Sequence, residues 1–380
     1  MRKMITAVTV MALVLAACGG DDTENAIEPD ASEAAEVEET ATTTVTPTTV
    51  TPTTVTPTTV TPTTVTPTTV TPTTVTPEAA VEEPSSPFTT IRPADDEIPR
   101  FGAEMGEANT AEISAFLQDP NDNGGPFYMI NMIRYRDQAE YPDGRETDLT
   151  GEEADAIYGS FMGETMLPRY GHEVVYIAEV EQDLIGGSAW DQVAVVKYAS
   201  RAAFAEMSQD PEFQEMSIHK AAGVLDTVVL ATTLLETPQL PPLEDPPFPA
   251  TDGDTVMAFM HVFDYRETAE YQPDDEDADP NRSGSEAVAQ YSANAGTVAQ
   301  PLGVQPAAWF TVEATVFGPV DVWDEVRINL FPSHAAFEAL TADPTWQAGT
   351  HHRTAGLEQT FAIMNQPVVN AFNGMVADLG

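Results

Sequence analysis

Two histidines stand at matching places in this chain. His219 and His352 each lie four residues before a glycine, Gly223 or Gly356, that closes a helical pattern. An imidazole in the last turn of a helix can move protons near neutral pH. Its cation also interacts well with the helix C-terminus, which is a purely structural role. Asn131 and His261 form a second matched pair, each in mid-strand between apolar neighbours: Met129, Ile133 and Tyr135 in one case, Phe259, Phe263 and Tyr265 in the other. A polar group so placed has to be hydrogen-bonded, either within the core or to a ligand. Tyr158 and Tyr291 are a third pair, on the inward side of a helix, where a hydroxyl serves as a satisfied core group or as a proton donor. His219 and His352 are therefore the candidate catalytic residues. Asn131, Tyr158, His261 and Tyr291 are the candidate ligand contacts. Trp190 and Trp323 read as packing residues.

Other chemistries find no support in the residue types. His351 and His352 point about 100° apart on a helix, and no carboxylate or cysteine at ligand spacing completes a metal site. Asp274, Asp275, Glu276, Asp277 and Asp279 crowd one loop. Their spacing and the missing glycine do not match an EF-hand, so the loop reads as solvated. The chain has no phosphate-cradling glycine loop, no dinucleotide fingerprint and no serine-nucleophile motif. No metal and no cofactor are expected.

The elements that position these residues are written twice. Of the 25 positions from Trp190 to Gln214, ten are identical to the residues 133 positions further on, without a gap. Tyr135 to Tyr141 matches Tyr265 to Tyr271 at an offset of 130. Such self-similarity marks a tandem duplication. In the first copy, Phe127 to Arg136 reads as a strand, and Ala154, Ile157, Tyr158, Phe161 and Met162 follow helical spacing up to Gly171. Val174 to Val180 and Trp190 to Tyr198 read as two strands. Ser200 caps a second helix, which Asp210 and Pro211 restart and Gly223 ends as a left-handed residue. Leu225 to Thr232 closes the copy as a strand. The order βαββαβ is that of a ferredoxin-like unit. The predicted fold is α+β: two ferredoxin-like repeats, over 126–236 and 254–366, whose antiparallel sheets pack face against face as an intrachain pseudo-dimeric barrel. No obligate oligomer is expected. A lead-in over 84–125 carries one short helix capped by Thr110, a proline-rich linker spans 237–253, and a tail spans 367–380.

The N-terminus reads as an address. Arg2 and Lys3 precede an apolar stretch to Ala17, too short for a membrane span, which needs about 20 residues. Leu15-Ala16-Ala17-Cys18 resembles a bacterial lipobox, and Cys18 is the one cysteine of the chain. Residues 1–17 are thus expected to be a signal peptide, and Cys18 a lipidated residue. The anchor would place the protein at the cell membrane on its extracytoplasmic face. Residues 18–83 read as a disordered stalk, acidic and then built of Val-Thr-Pro-Thr-Thr units from Val45 to Pro77. At roughly 3.1 Å per residue that repeat reaches about 100 Å, and its threonines suit O-linked glycans. The chain holds 61 acidic and 15 basic residues, a net charge of −46 at pH 7. That field repels nucleic acid, which is excluded as a partner.

Each copy resembles the domain of unknown function 1330 family of the dimeric α+β barrel superfamily. The residues that carry the resemblance are Asn131, Gly151, Tyr158, Trp190-Asp191, Ser200 to Phe204, Asp210 to Gln214 and His219 to Val224 in the first copy. In the second they are Gly284, Tyr291, Trp323-Asp324, Ser333, Asp343-Pro344 and His352 to Leu357. The second copy departs at His261, which stands in the place of Asn131. The resemblance implies the barrel and its pairing, and no settled reaction; superfamily relatives include monooxygenases, isomerases and haem enzymes. Three functions stay open on these residues: binding of a small apolar or aromatic molecule, cofactor-independent catalysis with a histidine as acid and base, and a structural module with closed cores.

Overall fold

The computed structural model describes residues 102–372, apart from 106, 239, 276 and 321. Cys18, the signal segment, the stalk, residues 84–101 of the lead-in and the end of the tail lie outside the described residues. Helix α1 (Thr110–Leu117) opens the described part. The order strand, helix, strand, strand, helix pair, strand then occurs twice. The first half holds β1 (Phe127–Tyr135), α2 (Gly151–Phe161), β2 (Glu173–Ile185), β3 (Gln192–Tyr198), α3 (Arg201–Ser208), α4 (Pro211–Gly223) and β4 (Val224–Leu234). The second holds β5 (Met257–Tyr265), α5 (Gly284–Ala299), β6 (Gln305–Phe317), β7 (Glu325–Phe331), α6 (His334–Ala342), α7 (Pro344–Gly356) and β8 (Leu357–Asn370). No helix among the described residues is long and apolar enough to cross a membrane.

The eight strands close into one antiparallel barrel in the order β1-β3-β2-β8-β5-β7-β6-β4. The barrel expected from the sequence is present, and its two sheets are joined through the pairs β2–β8 and β4–β6. The long strands β2 and β6 run on past their own sheets and pair with the other half. Gln182 and Asp183 oppose Met364 and Ile363, and Thr315 and Phe310 oppose Leu230 and Leu234. Closure leaves no open edge among the eight strands. The polar run Glu181-Gln182-Asp183 hid the extension of β2, because it lacks the apolar alternation of a half-buried strand. Residues 367–370, expected in a tail, belong to β8. Pro367 sits opposite Ala178 at a register shift, where a missing amide donor is tolerated.

Alternation sorts the side chains. Ile130, Met132, Leu230, Met260, Val262 and Val326 face inward and fill the barrel. Trp190 and Trp323 lie just before β3 and β7, both buried, with their rings 5.9 and 4.8 Å from that of Phe361. The opposite faces of the strands lie under the helices. Matched capping boxes start the helices: Thr150 with Glu153 at α2, Ser283 with Glu286 at α5. Ser200 and Asp210 cap α3 and α4 as their types predict. Two details differ. Asn109, not Thr110, precedes α1, and its amide holds the carbonyls of Thr315 and Gly318 at 2.9 and 2.8 Å. Gly223 is not left-handed; Val224 follows it in extended conformation, so α4 runs straight into β4.

Candidate functional site

The outward face of β5 carries Phe259, His261 and Phe263. His261 stands beside Arg327 on β7 and Ala362 on β8, and Arg327 stands beside Trp309 on β6. One row across the sheet therefore combines an imidazole, a guanidinium and an indole. Arg327 is fixed from several sides. Its Nε pairs with Glu325, its Nη1 donates to Ser292 Oγ at 2.7 Å, and its guanidinium lies 4.4 Å from the Trp309 ring and 5.1 Å from that of Phe263. Tyr265 in turn donates to Glu325 Oε2 at 2.8 Å, and Trp309 Nε1 donates to Asn329 Oδ1 at 3.0 Å.

Over this row lies a cavity of about 410 Å³, within the usual range for small-molecule sites of roughly 300–1,000 Å³. Its floor is His261, Phe263, Trp309 and Arg327, and its roof is α5. Ala295, Gly296 and Ala299 make that roof thin, and Tyr291 stands beside them. Pro238 and Leu240, from the linker between the halves, complete the wall. His261 is 3% exposed, and its Nε2 is buried without a hydrogen-bond partner. Burial first, then the charges of Arg353 and Arg327, hold its pKa well below the ordinary histidine value. The imidazole is therefore neutral at physiological pH, and its Nε2 accepts or donates a hydrogen bond according to the tautomer.

The equivalent place in the first half is arranged otherwise. Lys220 Nζ donates to Asn131 Oδ1 at 3.2 Å and lies 5.4 Å from the Tyr158 ring. Tyr135 donates to Asp155 Oδ2 at 3.1 Å. Burial lowers the lysine pKa and raises that of Asp155, and each charge opposes the shift of the other. The space beside them is packed with Met162, Met166, Leu167 and Phe213, the first two on a π-helical turn that follows α2. Ile113 and Phe116 of α1 join the same cluster.

His219 and His352 stand elsewhere. The Tyr141 hydroxyl and His219 Nδ1 are 2.7 Å apart, and the Tyr271 hydroxyl and His352 Nδ1 are 2.8 Å apart. Arg282 also donates to the Tyr271 hydroxyl at 2.6 Å. Each pair ties the loop after the first strand of its half to the last turns of α4 or α7. Burial lowers the pKa of both histidines, and nearby cationic side chains add to the effect. Neither lines the cavity. Of the six residues singled out from sequence, the structure brings His261 and Tyr291 together at the cavity and Asn131 and Tyr158 around Lys220. It places the two tyrosine-bonded histidines apart from both groups. The residues missed were Lys220, Arg327 and Arg353. A signal for Arg327 existed, since it stands 133 positions after Ala194, a charged residue in the place of a small apolar one.

A larger groove of about 560 Å³ runs beside Arg201. That arginine is already engaged by the Phe116 carbonyl, Glu313, Asp119 and Asp122. None of the buried unpartnered polar atoms lines it. Among the described residues, no group of three or more histidine, cysteine or carboxylate side chains could hold a metal ion.

No family model matches the chain, and no curated protein matches it. Two crystal structures of the RPA0582 protein, described as a protein of unknown function from Rhodopseudomonas palustris, are 39% and 37% identical. The matches cover 34% and 33% of this chain and 93% and 94% of that one, with TM-scores of 0.31 and 0.30. A crystal structure of an anthrone oxidase-like protein is 11% identical over 68% of this chain and 98% of its own, with a TM-score of 0.37. A mutant chlorite dismutase from Candidatus Nitrospira defluvii is 10% identical over 64% and 93%, with a TM-score of 0.35.

Proposed function

The chain belongs to the family of the Rhodopseudomonas palustris protein, itself of unknown function, and we propose that it binds a small apolar or aromatic molecule in the cavity of its second half. The observation that carries this reading is the orphaned Nε2 of His261 at the wall of that cavity. A buried polar atom without a partner costs about 1–3 kcal/mol, which a bound hydrogen-bonding group would relieve. Phe259, Phe263, Trp309 and Phe331 supply the apolar contact area. The first half has no matching cavity: Lys220 bonds to Asn131, Tyr135 bonds to Asp155, and although Asp155 Oδ1 is buried without a partner the space beside it is packed. The duplication has thus diverged, with binding assigned to one copy.

In this reading the two halves are tandem ferredoxin-like domains of the domain of unknown function 1330 type. The duplicated motifs and the repeated element order support that. Cys18 carries the lipid, residues 18–83 form the stalk, and the barrel sits on the extracytoplasmic face of the cell membrane. The support there is sequence alone: the lipobox-like Leu15-Ala16-Ala17-Cys18 and the threonine-proline repeat.

A second reading is cofactor-independent catalysis. It is favoured by the same neutral imidazole, which could take a proton from a ligand held against it. Native mass spectrometry of the full chain, purified from its native host, tests the common premise. A stoichiometric small-molecule adduct is expected, lost on His261→Asn, which installs the first-half residue. An adduct that survives this change but disappears on His219→Ala would move the site to the tyrosine-bonded histidine. A bare mass, unchanged after incubation with an aromatic and lipid extract, would support closed cores instead.

A further inference from the structure

The second half lacks a carboxylate that the first half has at the matching position. In the first half Lys220 of α4 has a buried carboxylate near it, Asp155 of α2, whose charge acts on it through space without a direct ion pair. At the same spacing in the second half, Arg353 replaces Lys220 and Val288 replaces Asp155. Val288 is fully buried among apolar groups. Arg353 lies 5.5 Å from the ring of Tyr291, and its guanidinium makes no ion pair among the described residues. A second cation has been added, for Arg327 stands where the first half has Ala194, and only this one has a carboxylate, Glu325.

Arg353 approaches His261 from α7, Arg327 from β7 and Tyr291 from α5. Phe259 and Phe263 flank His261 on its own strand, and Ala362 lies beside it on β8. Both charged members are cations, and one carboxylate answers them. In a chain with 61 acidic and 15 basic residues, an arginine left without a carboxylate is not what composition alone would produce. Arg353 is half-buried and stands behind the cavity wall, and a partly desolvated charge is stabilised when an opposite charge comes near.

We propose that the cavity takes a singly charged aromatic anion, a ring system bearing a carboxylate or an acidic phenolate, and that its charge replaces the one lost at Val288. The proposal rests on the cavity being a binding site at all. The ring lies among Phe259, Phe263 and Trp309. The anionic oxygen faces His261 Nε2, which donates from the neutral imidazole, within the field of Arg327 and Arg353. A charged acceptor and a low-dielectric wall strengthen such a bond beyond its worth in water.

The test uses the full chain and two probes of the same shape, 2-naphthoate and its neutral methyl ester, titrated by calorimetry at pH 7.5. Naphthoate is expected to bind at least about tenfold more tightly than the ester, a difference of about 1.4 kcal/mol. Arg353→Gln is expected to bring the two within about threefold of each other. Val288→Asp, which restores the first-half carboxylate, should abolish naphthoate binding. If burial of that carboxylate unfolds the protein, Arg353→Gln still decides the question. Equal binding of ester and naphthoate, or a preference that survives Arg353→Gln, overturns the anion proposal and leaves the cavity reading intact. Failure of both probes to bind overturns both.

Discussion

Gly151 and Gly223 meet backbone to backbone, with Arg136 held between them. The Gly151 amide donates to the Arg136 carbonyl at 3.0 Å, and the Arg136 amide donates to the Gly223 carbonyl at 2.9 Å. A Cβ on Gly223 would collide with the carbonyl oxygen of Gly151. Gly284, Arg266 and Gly356 repeat the arrangement, at 3.0 and 2.9 Å. Here the glycines are required for close approach, not for a left-handed turn.

Gly223→Ala and Gly356→Ala should each destabilise the barrel by about 1–3 kcal/mol, the usual cost of forcing extra atoms into a packed contact. Urea unfolding of the full chain checks this. Gly159→Ala is the control, since a Cβ there meets nothing within 4 Å. An equal effect at all three positions would contradict the packing account.

His334 links the halves. Its Nε2 lies 2.8 Å from Glu181 in β2, and its Nδ1 lies 2.9 Å from Asp254 ahead of β5. Burial opposes the charged form, but the hydrogen bonds to Glu181 and Asp254 outweigh it and raise the pKa. A raised folded pKa means stability that is fully present below the unfolded value, about 6.5, and is lost as pH rises through the folded value. His334→Ala should remove this loss from the stability profile above pH ~6.5. The effect is about 1 kcal/mol or less, because the cluster is partly exposed. An unchanged slope would show that the bridge carries no net charge energy.

His261 gives the opposite sign. Its folded pKa is depressed, so below about pH 6.5 the unfolded chain takes a proton that the folded chain refuses, and stability falls with pH. His261→Asn should flatten that part of the acid limb. Thermal unfolding between pH 5 and 7 reads the difference, and parallel profiles for the two proteins would sink the assignment.

Arg327→Ala restores the first-half residue and removes one of the cations acting on His261. The imidazole should then titrate at a higher pH than in the unaltered protein, followed by its ring proton shifts. Loss of the contacts to Ser292 and Trp309 should also destabilise the second half, by about 1–3 kcal/mol for a charged hydrogen bond. A titration unmoved by the change would mean that burial alone sets the imidazole.

Strand alternation was legible in the sequence, and it grouped Asn131 with Met129 and Ile133 and His261 with Phe259 and Phe263; that these faces lie beneath the helices and not inside the barrel emerged only from the structure. The caps Ser200 and Asp210 were legible too, because their bonds are local. What escaped was set by geometry beyond the local pattern. One residue of helix turns a side chain by about 100°, which is why Lys220 and not His219 reaches Asn131. The reach of β2 into the other half was invisible because Glu181 to Asp183 gains its pairing only when β8 is present. The unmatched charge at Arg353 emerges only when Val288 is set beside Asp155 in three dimensions.

The most direct test follows the His261 ring itself. In the full chain with nitrogen-15-labelled histidine, addition of 2-naphthoate should move the Nε2 resonance of His261, identified by its loss in His261→Asn, and leave those of His219 and His352 in place. A shift at His219 or His352 with His261 unmoved would contradict the account and place binding at the tyrosine-bonded histidines.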